Sequence, residues 1–191
     1  AARADGIIIS PINSERVRKA IDRAVDSGIP VVATNADIDG TKRTCCVGIN
    51  NRKAARIAGR LMGQFLGGTG KIAVVSSAIA SENNNYYVQV RETEFADFIH
   101  KEYPDIKIIT TLDSFEDPQI TYEKTVKLLR DYQDLQGIYI TCGGVSQVGR
   151  ALEESGRAKD IRVISFEDYP EVVDLIRKDV IDCTLAGELQ Q

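Results

Sequence analysis

The sequence predicts an α/β chain of mostly parallel strands. Short apolar runs rich in β-branched residues alternate with amphipathic helical patterns along the 191 residues without a break. The central stretch, Lys71 to Thr111, reads as strand, crossover helix and strand within about forty residues, a βαβ unit. No short-period repeat, low-complexity tract or disordered linker interrupts the alternation.

The elements follow in order. Asp5–Ser10 is a buried strand, and Asn13 or Ser14 caps a helix with Val17, Ala20, Ile21, Ala24 and Val25 on one face. Ser27-Gly28 ends that helix, and Ile29–Thr34 is the next strand, running out at Asn35. Thr44–Ile49 is a short strand. Asn51 then caps a helix carrying Ala54, Ala55, Ala58, Leu61, Met62 and Phe65. Gly67-Gly-Thr-Gly70 stops it, and Lys71–Ser77 is a buried strand followed by a polar loop over 80–87. A helix spans roughly Val88–Tyr103, and Ile106–Thr111 is a strand. Asp117-Pro118 opens the next helix, Gly137–Thr141 is a strand, and Ser146 starts a helix that stops at Gly156. Strand Ile161–Phe166, helix Glu171–Lys178 and strand Ile181–Leu185 complete the series.

Composition bounds the function. The chain is 43% hydrophobic and 27% charged, as ordinary globular domains are. A net charge of −4 argues against this segment gripping a nucleic-acid backbone, which calls for a basic face. No apolar run approaches the roughly 20 residues that span a bilayer. Cys45, Cys46, Cys142 and Cys183 form no C-x-x-C pair, and the single histidine, His100, falls mid-helix, so no metal centre is expected. Four such cysteines read as free thiols, which favours a reducing compartment.

Familiar catalytic and phosphate motifs are missing. Gly67–Lys71 fails as a phosphate loop, because Phe65 and Ile72 occupy positions that need glycine and Ser or Thr. The run also follows a helix, whereas a phosphate loop precedes one. His100 has no nucleophile beside it, so neither an enzyme nor a cofactor is expected. What remains is a set of polar and aromatic residues at strand ends: Asn35, Arg91 with the 80–87 loop, Phe115, Cys142-Gly143, Glu167-Asp168 and Gly187-Glu188. Ligands in parallel sheets sit at the carboxyl ends of the strands, so these residues outline a binding edge; the plain alternative is a solvated edge without a ligand.

Several stretches resemble the type I periplasmic-binding-protein superfamily, both its ribose-binding branch and the effector-binding cores of LacI/GalR regulators. They are Asp5-Gly-Ile-Ile-Ile-Ser-Pro11, Gly28-Ile-Pro-Val-Val32, Val47-Gly-Ile-Asn-Asn51, Arg91-x-x-x-Phe95, Tyr103–Ile108, Val163-Ile-Ser-Phe-Glu167 and Ile181–Leu185. The resemblance implies two Rossmann-like lobes with parallel sheets, 1–68 and 69–191, closing on a small molecule, with the first lobe apparently truncated. It implies that Arg91 clamps ligand hydroxyls and Phe115 packs on a sugar face. Asn35 and Glu167 stand where the family often has aspartate, Gly143 where it has asparagine, and Gly187 where glutamine is common, with Glu188 next. These departures point to a polar, hydroxyl-bearing ligand, with or without an amino group, rather than an anionic one.

Two functions fit the resemblance. The leading expectation is the carbohydrate-sensing core of a LacI/GalR-type regulator: cytoplasmic, a homodimer, without membrane contact, and bound to operator DNA through a headpiece upstream of residue 1. The free thiols favour it. The alternative is the extracytoplasmic sugar-binding component of an ABC importer.

Overall fold

The structure, a computed structural model, describes residues 4–77 and 86–187. Its elements are β1 (Ile7–Ile9), α1 (Glu15–Asp26), β2 (Val31–Thr34), β3 (Cys45–Val47), α2 (Asn51–Phe65), β4 (Thr69–Ser76) and α3 (Tyr86–Glu102). They continue with β5 (Asp105–Asp113), α4 (Pro118–Asp131), β6 (Gly137–Ile140), α5 (Val145–Ser155), β7 (Arg162–Phe166), α6 (Pro170–Arg177) and β8 (Cys183–Leu185). Among the described residues the strands form two sheets, one ordered β1-β2-β3 and one ordered β5-β4-β6-β7-β8. Every pairing is parallel, as the unbroken alternation predicts.

The five-stranded sheet is covered on both faces. On one side α4, α5 and α6 bury Leu128, Leu129, Val148, Leu152 and Leu175 against Ala73, Val75, Ile138, Ile140 and Val163. On the other, α2 and α3 bury Ala54, Ala58, Met62, Phe95 and Ile99 against Ile72, Val74, Tyr139, Ile164 and Phe166. Double coverage explains why β6 is buried along its whole length and why the strands read as continuous apolar runs. Phe95 stacks on Tyr139 with ring centroids 4.0 Å apart.

Helix α2 thus packs on the second sheet, although it precedes the glycine turn at Gly67–Gly70. The chain changes packing partner between β3 and α2, at Gly48–Asn50. The first sheet keeps a smaller core of Ile21, Val31 and Ile38. Strand β1 is buried on one face only, not throughout as expected: Ile7 and Ile9 pack toward the core formed with α1, whereas Ile8, on the opposite face, is 79% exposed among the described residues.

Helix starts are capped much as the sequence suggests. Ser14 accepts from Val17 N, and Asp117 accepts from Ile120 N with Pro118 in the first turn. At α2 the cap is Asn50, whose side chain accepts from Lys53 N. Asn51, expected as the cap, is instead the first helical residue; its Nδ2 donates to the Ile49 carbonyl at 3.3 Å, and its Oδ1 is not used as a cap.

Candidate functional site

Because all strands of a sheet run the same way, their carboxyl ends share one edge. There the loops after β5, β6 and β7 meet the first turns of α3 and α2. Arg91 lies one turn before Phe95 on the buried face of α3 and is only 4% exposed. Its Nε donates to Asn51 Oδ1 at 2.8 Å, and its Nη1 donates to the Thr141 carbonyl at 3.0 Å. The guanidinium carbon is 3.7 Å from the centroid of the Phe166 ring and 4.9 Å from that of Tyr87. Burial pulls its pKa below the usual arginine value, opposed chiefly by Tyr139 and Glu167. Arginine nevertheless stays charged in proteins.

The guanidinium carries five N–H donors. Among the described residues Asn51 and Thr141 take two, and Nη2 lies on the side of Glu167. Glu167 Oε1 lies 3.8 Å from Nη2, too far for a hydrogen bond but close enough for an ion pair. A fixed cationic fork with a half-exposed carboxylate beside it suits an uncharged ligand with adjacent oxygens, which can accept from the arginine and donate to the acid.

Three of the sequence-selected residues stand in left-handed backbone: Asn35 at φ 62°, Phe115 at φ 54° and Glu167 at φ 75°. Asparagine tolerates that region, whereas for Phe and Glu it costs on the order of 1–3 kcal/mol and needs support. The support is visible. Ser114 N donates to the Ser76 carbonyl at 2.7 Å, and Glu116 N donates to Ser114 Oγ at 3.2 Å, closing the Phe115 turn. Glu167 N donates to the Leu185 carbonyl at 3.1 Å, and Thr184 Oγ1 donates to the Glu167 carbonyl at 2.5 Å.

The other residues fall into place unevenly. Phe115 is 58% exposed, with Lys124 Nζ 5.1 Å from its ring centroid. Cys142 is buried beneath the edge with its Sγ 3.4 Å from Ser114 Oγ, and burial pushes its thiol up to about 11. Gly143 is exposed, and a Cβ built on it would meet nothing within 4 Å. Gly187 is the opposite case: a Cβ there would lie 2.4 Å from Ile49 Cγ1. Asn35 stands on the edge of the first sheet, exposed. Glu188 and the 80–85 part of the polar loop lie outside the described residues. The structure therefore joins Arg91 with Glu167 and with Tyr87, the last residue of the expected 80–87 loop, and adds Asn51, Thr141 and Phe166, which sequence reasoning did not single out as site residues. The available signals were the Asn50-Asn51 doublet, of which one residue suffices as a cap, and Tyr87, one helical turn before Arg91.

A cleft of about 340 Å³ borders this cluster and reaches the first sheet, lined among others by Asp37, Asp39, Asn51, Arg52, Tyr86 and Tyr87. That volume lies within the range of small-molecule sites. A larger cavity of about 800 Å³, near Lys71, Asp105, Lys107 and Arg157, opens at the amino edge of the second sheet. Parallel sheets place ligands at the other edge, so size does not make it the site. Among the described residues, no group of three or more His, Cys, Asp or Glu side chains could hold a metal ion, and no helix is long and apolar enough to cross a membrane.

Comparison with known proteins bears on this geometry. A family model described as "Periplasmic binding protein domain" matches residues 1–189. The D-apiose import binding protein of Paraburkholderia graminis is 22% identical over 186 residues, which is 97% of this chain and 58% of that protein. A sugar-binding protein of a sugar ABC transporter from Bacillus halodurans is 31% identical with a TM-score of 0.83, covering 95% of this chain and 61% of that one. An arabinose binding protein from Geobacillus stearothermophilus is 30% identical with a TM-score of 0.77, covering 93% and 59%. The chain thus spans about three fifths of the length of these relatives.

These relatives overturn the expectation of a cytoplasmic LacI/GalR-type regulator, and operator DNA and the homodimer lose their support with it. The fold motifs could not have decided the matter, because both classes share them. The thiol argument fails on physical grounds. Burial pushes Cys142 and Cys183 up to about 11, which protects those two thiols in any compartment, so they carry no weight, although Cys45 is exposed.

Proposed function

This chain belongs to the periplasmic binding protein domain family, and on that premise we propose that it binds a neutral sugar for an importer, on the outer side of the membrane. The observation that carries the reading is Arg91, held by Asn51 and Thr141 with donors to spare beside Glu167. In this reading Arg91 donates to adjacent ligand hydroxyls, and Glu167 accepts from one of them. Asn35 approaches from the first lobe, Phe115 covers an apolar sugar face, and Cys142 packs beneath the floor. Gly143 leaves room for a ligand substituent or a water, and Glu188 adds a second acceptor. The division between lobes falls at Gly48–Asn50, a reading supported by the packing of α2 on the second sheet.

Charge supports a neutral ligand. Glu167 beside Arg91 opposes a phosphate or carboxylate there, while Asp37 and Asp39 on the cleft wall are paired with Arg43. The import binding protein for D-apiose and the arabinose binding protein support a pentose-sized ligand. Thermal-shift measurements with neutral pentoses, hexoses, amino sugars and sugar phosphates test the reading. A ligand at a hundred times its Kd stabilises by about 2.7 kcal/mol. Stabilisation by phosphorylated sugars alone would refute it.

A further inference from the structure

The two sheets share little packing, yet one side-chain hydrogen bond spans the cleft between them. Tyr86 Oη, in the first turn of α3 on the second sheet, donates to Asp39 Oδ2 at 2.5 Å, in the turn that follows β2 on the first. Asp39 is not a loose acceptor. Arg18 of α1 donates to its carbonyl, and Arg43 Nη2 lies 3.5 Å from its Oδ1. Arg43 also pairs with Asp37 at 2.5 Å, so the acidic turn is pinned to the first sheet. On the other side, Tyr86 belongs to the helix that carries Arg91 five residues later. The phenol is protonated at neutral pH, since burial and Asp39 both raise its pKa.

We propose that Tyr86 is a positioning residue: its bond to Asp39 holds the two lobes together across the cleft and thereby slows escape of a ligand seated on Arg91. The inference rests on the sugar-binding reading for its ligand, but not for the bond itself. A ligand contributes to closure only through contacts it makes better in one arrangement than in the other, and a cross-cleft bond adds to the same arrangement. Tyr86 is half-buried at the cleft rim and Asp39 is exposed, so breaking the bond leaves neither core disturbed. The effect therefore falls on dissociation rather than on folding.

The test uses the full-length protein with Tyr86→Phe, Asp39→Ala, the double variant and Asp39→Asn, whose amide oxygen still accepts. In the absence of any sugar, amide hydrogen exchange is followed in residues 36–41 and 86–90. Tyr86→Phe and Asp39→Ala should speed exchange in both segments, the double variant no further than Asp39→Ala, which also loses the Arg43 contact, and Asp39→Asn should stay near wild type in residues 86–90. Unchanged exchange in Tyr86→Phe would overturn the proposal. With D-arabinose as probe, stopped-flow dissociation should be up to about tenfold faster in Tyr86→Phe, the loss of one hydrogen bond to a charged group. An equal dissociation rate would also overturn it. If the wild type binds neither D-arabinose nor another neutral pentose or hexose, the sugar-binding reading fails, and hydrogen exchange alone decides whether the bond holds the lobes.

Discussion

Arg91 Nε donates to Asn51 Oδ1 at 2.8 Å, which ties the start of α2 to the first turns of α3 directly beneath the cleft. The bond exists because the neighbouring Asn50, not Asn51, caps α2. Two adjacent asparagines thus divide two tasks, and they can be separated by mutation. Asn50→Ala should cost about 1 kcal/mol of stability through the lost cap and leave sugar affinity nearly unchanged. Asn51→Ala should leave the cap intact but free the guanidinium, weakening sugar binding by about 1–2 kcal/mol. Denaturation and calorimetry on both variants check the pair, and equal effects on affinity would contradict the assignment.

At Arg91 itself, binding and folding are coupled. The side chain is 4% exposed, so it is not the lightly packed residue that a cleft-edge position suggests from sequence. Arg91→Ala should cost about 2–4 kcal/mol of binding, and removing it also strands Asn51 Oδ1 and the Thr141 carbonyl at about 1–3 kcal/mol of stability. Arg91→Lys keeps the charge but loses the fork, so it should retain more stability than affinity. Urea denaturation and calorimetry give the two numbers separately.

Much of the fold is legible in the sequence because the signals are local. The apolar runs of β4 and β6, the Asp117-Pro118 start of α4 and the glycine stop after α2 each declare themselves within a few residues. What depends on distant partners is not legible. Nothing near Arg52–Phe65 says that α2 packs on β4, β6 and β7 instead of the sheet that precedes it. Nothing near Ile8 says that only the Ile7 and Ile9 face of β1 is covered. The binding edge follows from topology, but the support of Arg91 by Asn51 joins residues forty apart in sequence. The class of function is not legible for a different reason: the two protein classes share the fold, and free thiols, buried as at Cys142 or exposed as at Cys45, do not separate them.

The glycines at the edge make opposite predictions. Gly143 has open space around its missing Cβ, so Gly143→Asn should fold with stability within about 0.5 kcal/mol of wild type. Its side chain would enter the proposed ligand space, so its sugar preference should change. A Cβ on Gly187 would lie 2.4 Å from Ile49 Cγ1, so Gly187→Gln must displace the Ile49 side chain and should destabilise more than Gly143→Asn does. Thermal melts of both, with and without sugar, test the contrast.

The buried thiols set a pH dependence. Cys142 titrates near 11 in the folded chain against 9.0 for the free group, so the native state holds its proton where the unfolded state has lost it. The unfolded state then binds fewer protons, and stability falls as pH rises from about 9 to 11. Below 9 the full contribution is present. Cys142→Ala should flatten that fall, as read from urea midpoints at pH 8 through 11, and an unchanged slope would contradict the burial argument.

The central claim is that Arg91, braced by Asn51 and Thr141 and faced by Glu167, holds a neutral sugar at the carboxyl edge of the second sheet. Calorimetric titration of wild type and Arg91→Lys with neutral pentoses and hexoses, each beside its phosphate ester, tests it most directly. The account predicts that at least one neutral sugar saturates the wild type, that its phosphate ester binds far more weakly, and that Arg91→Lys loses at least tenfold in affinity, about 1.4 kcal/mol. Binding confined to the phosphate esters, or a neutral sugar held equally well by Arg91→Lys, would contradict it.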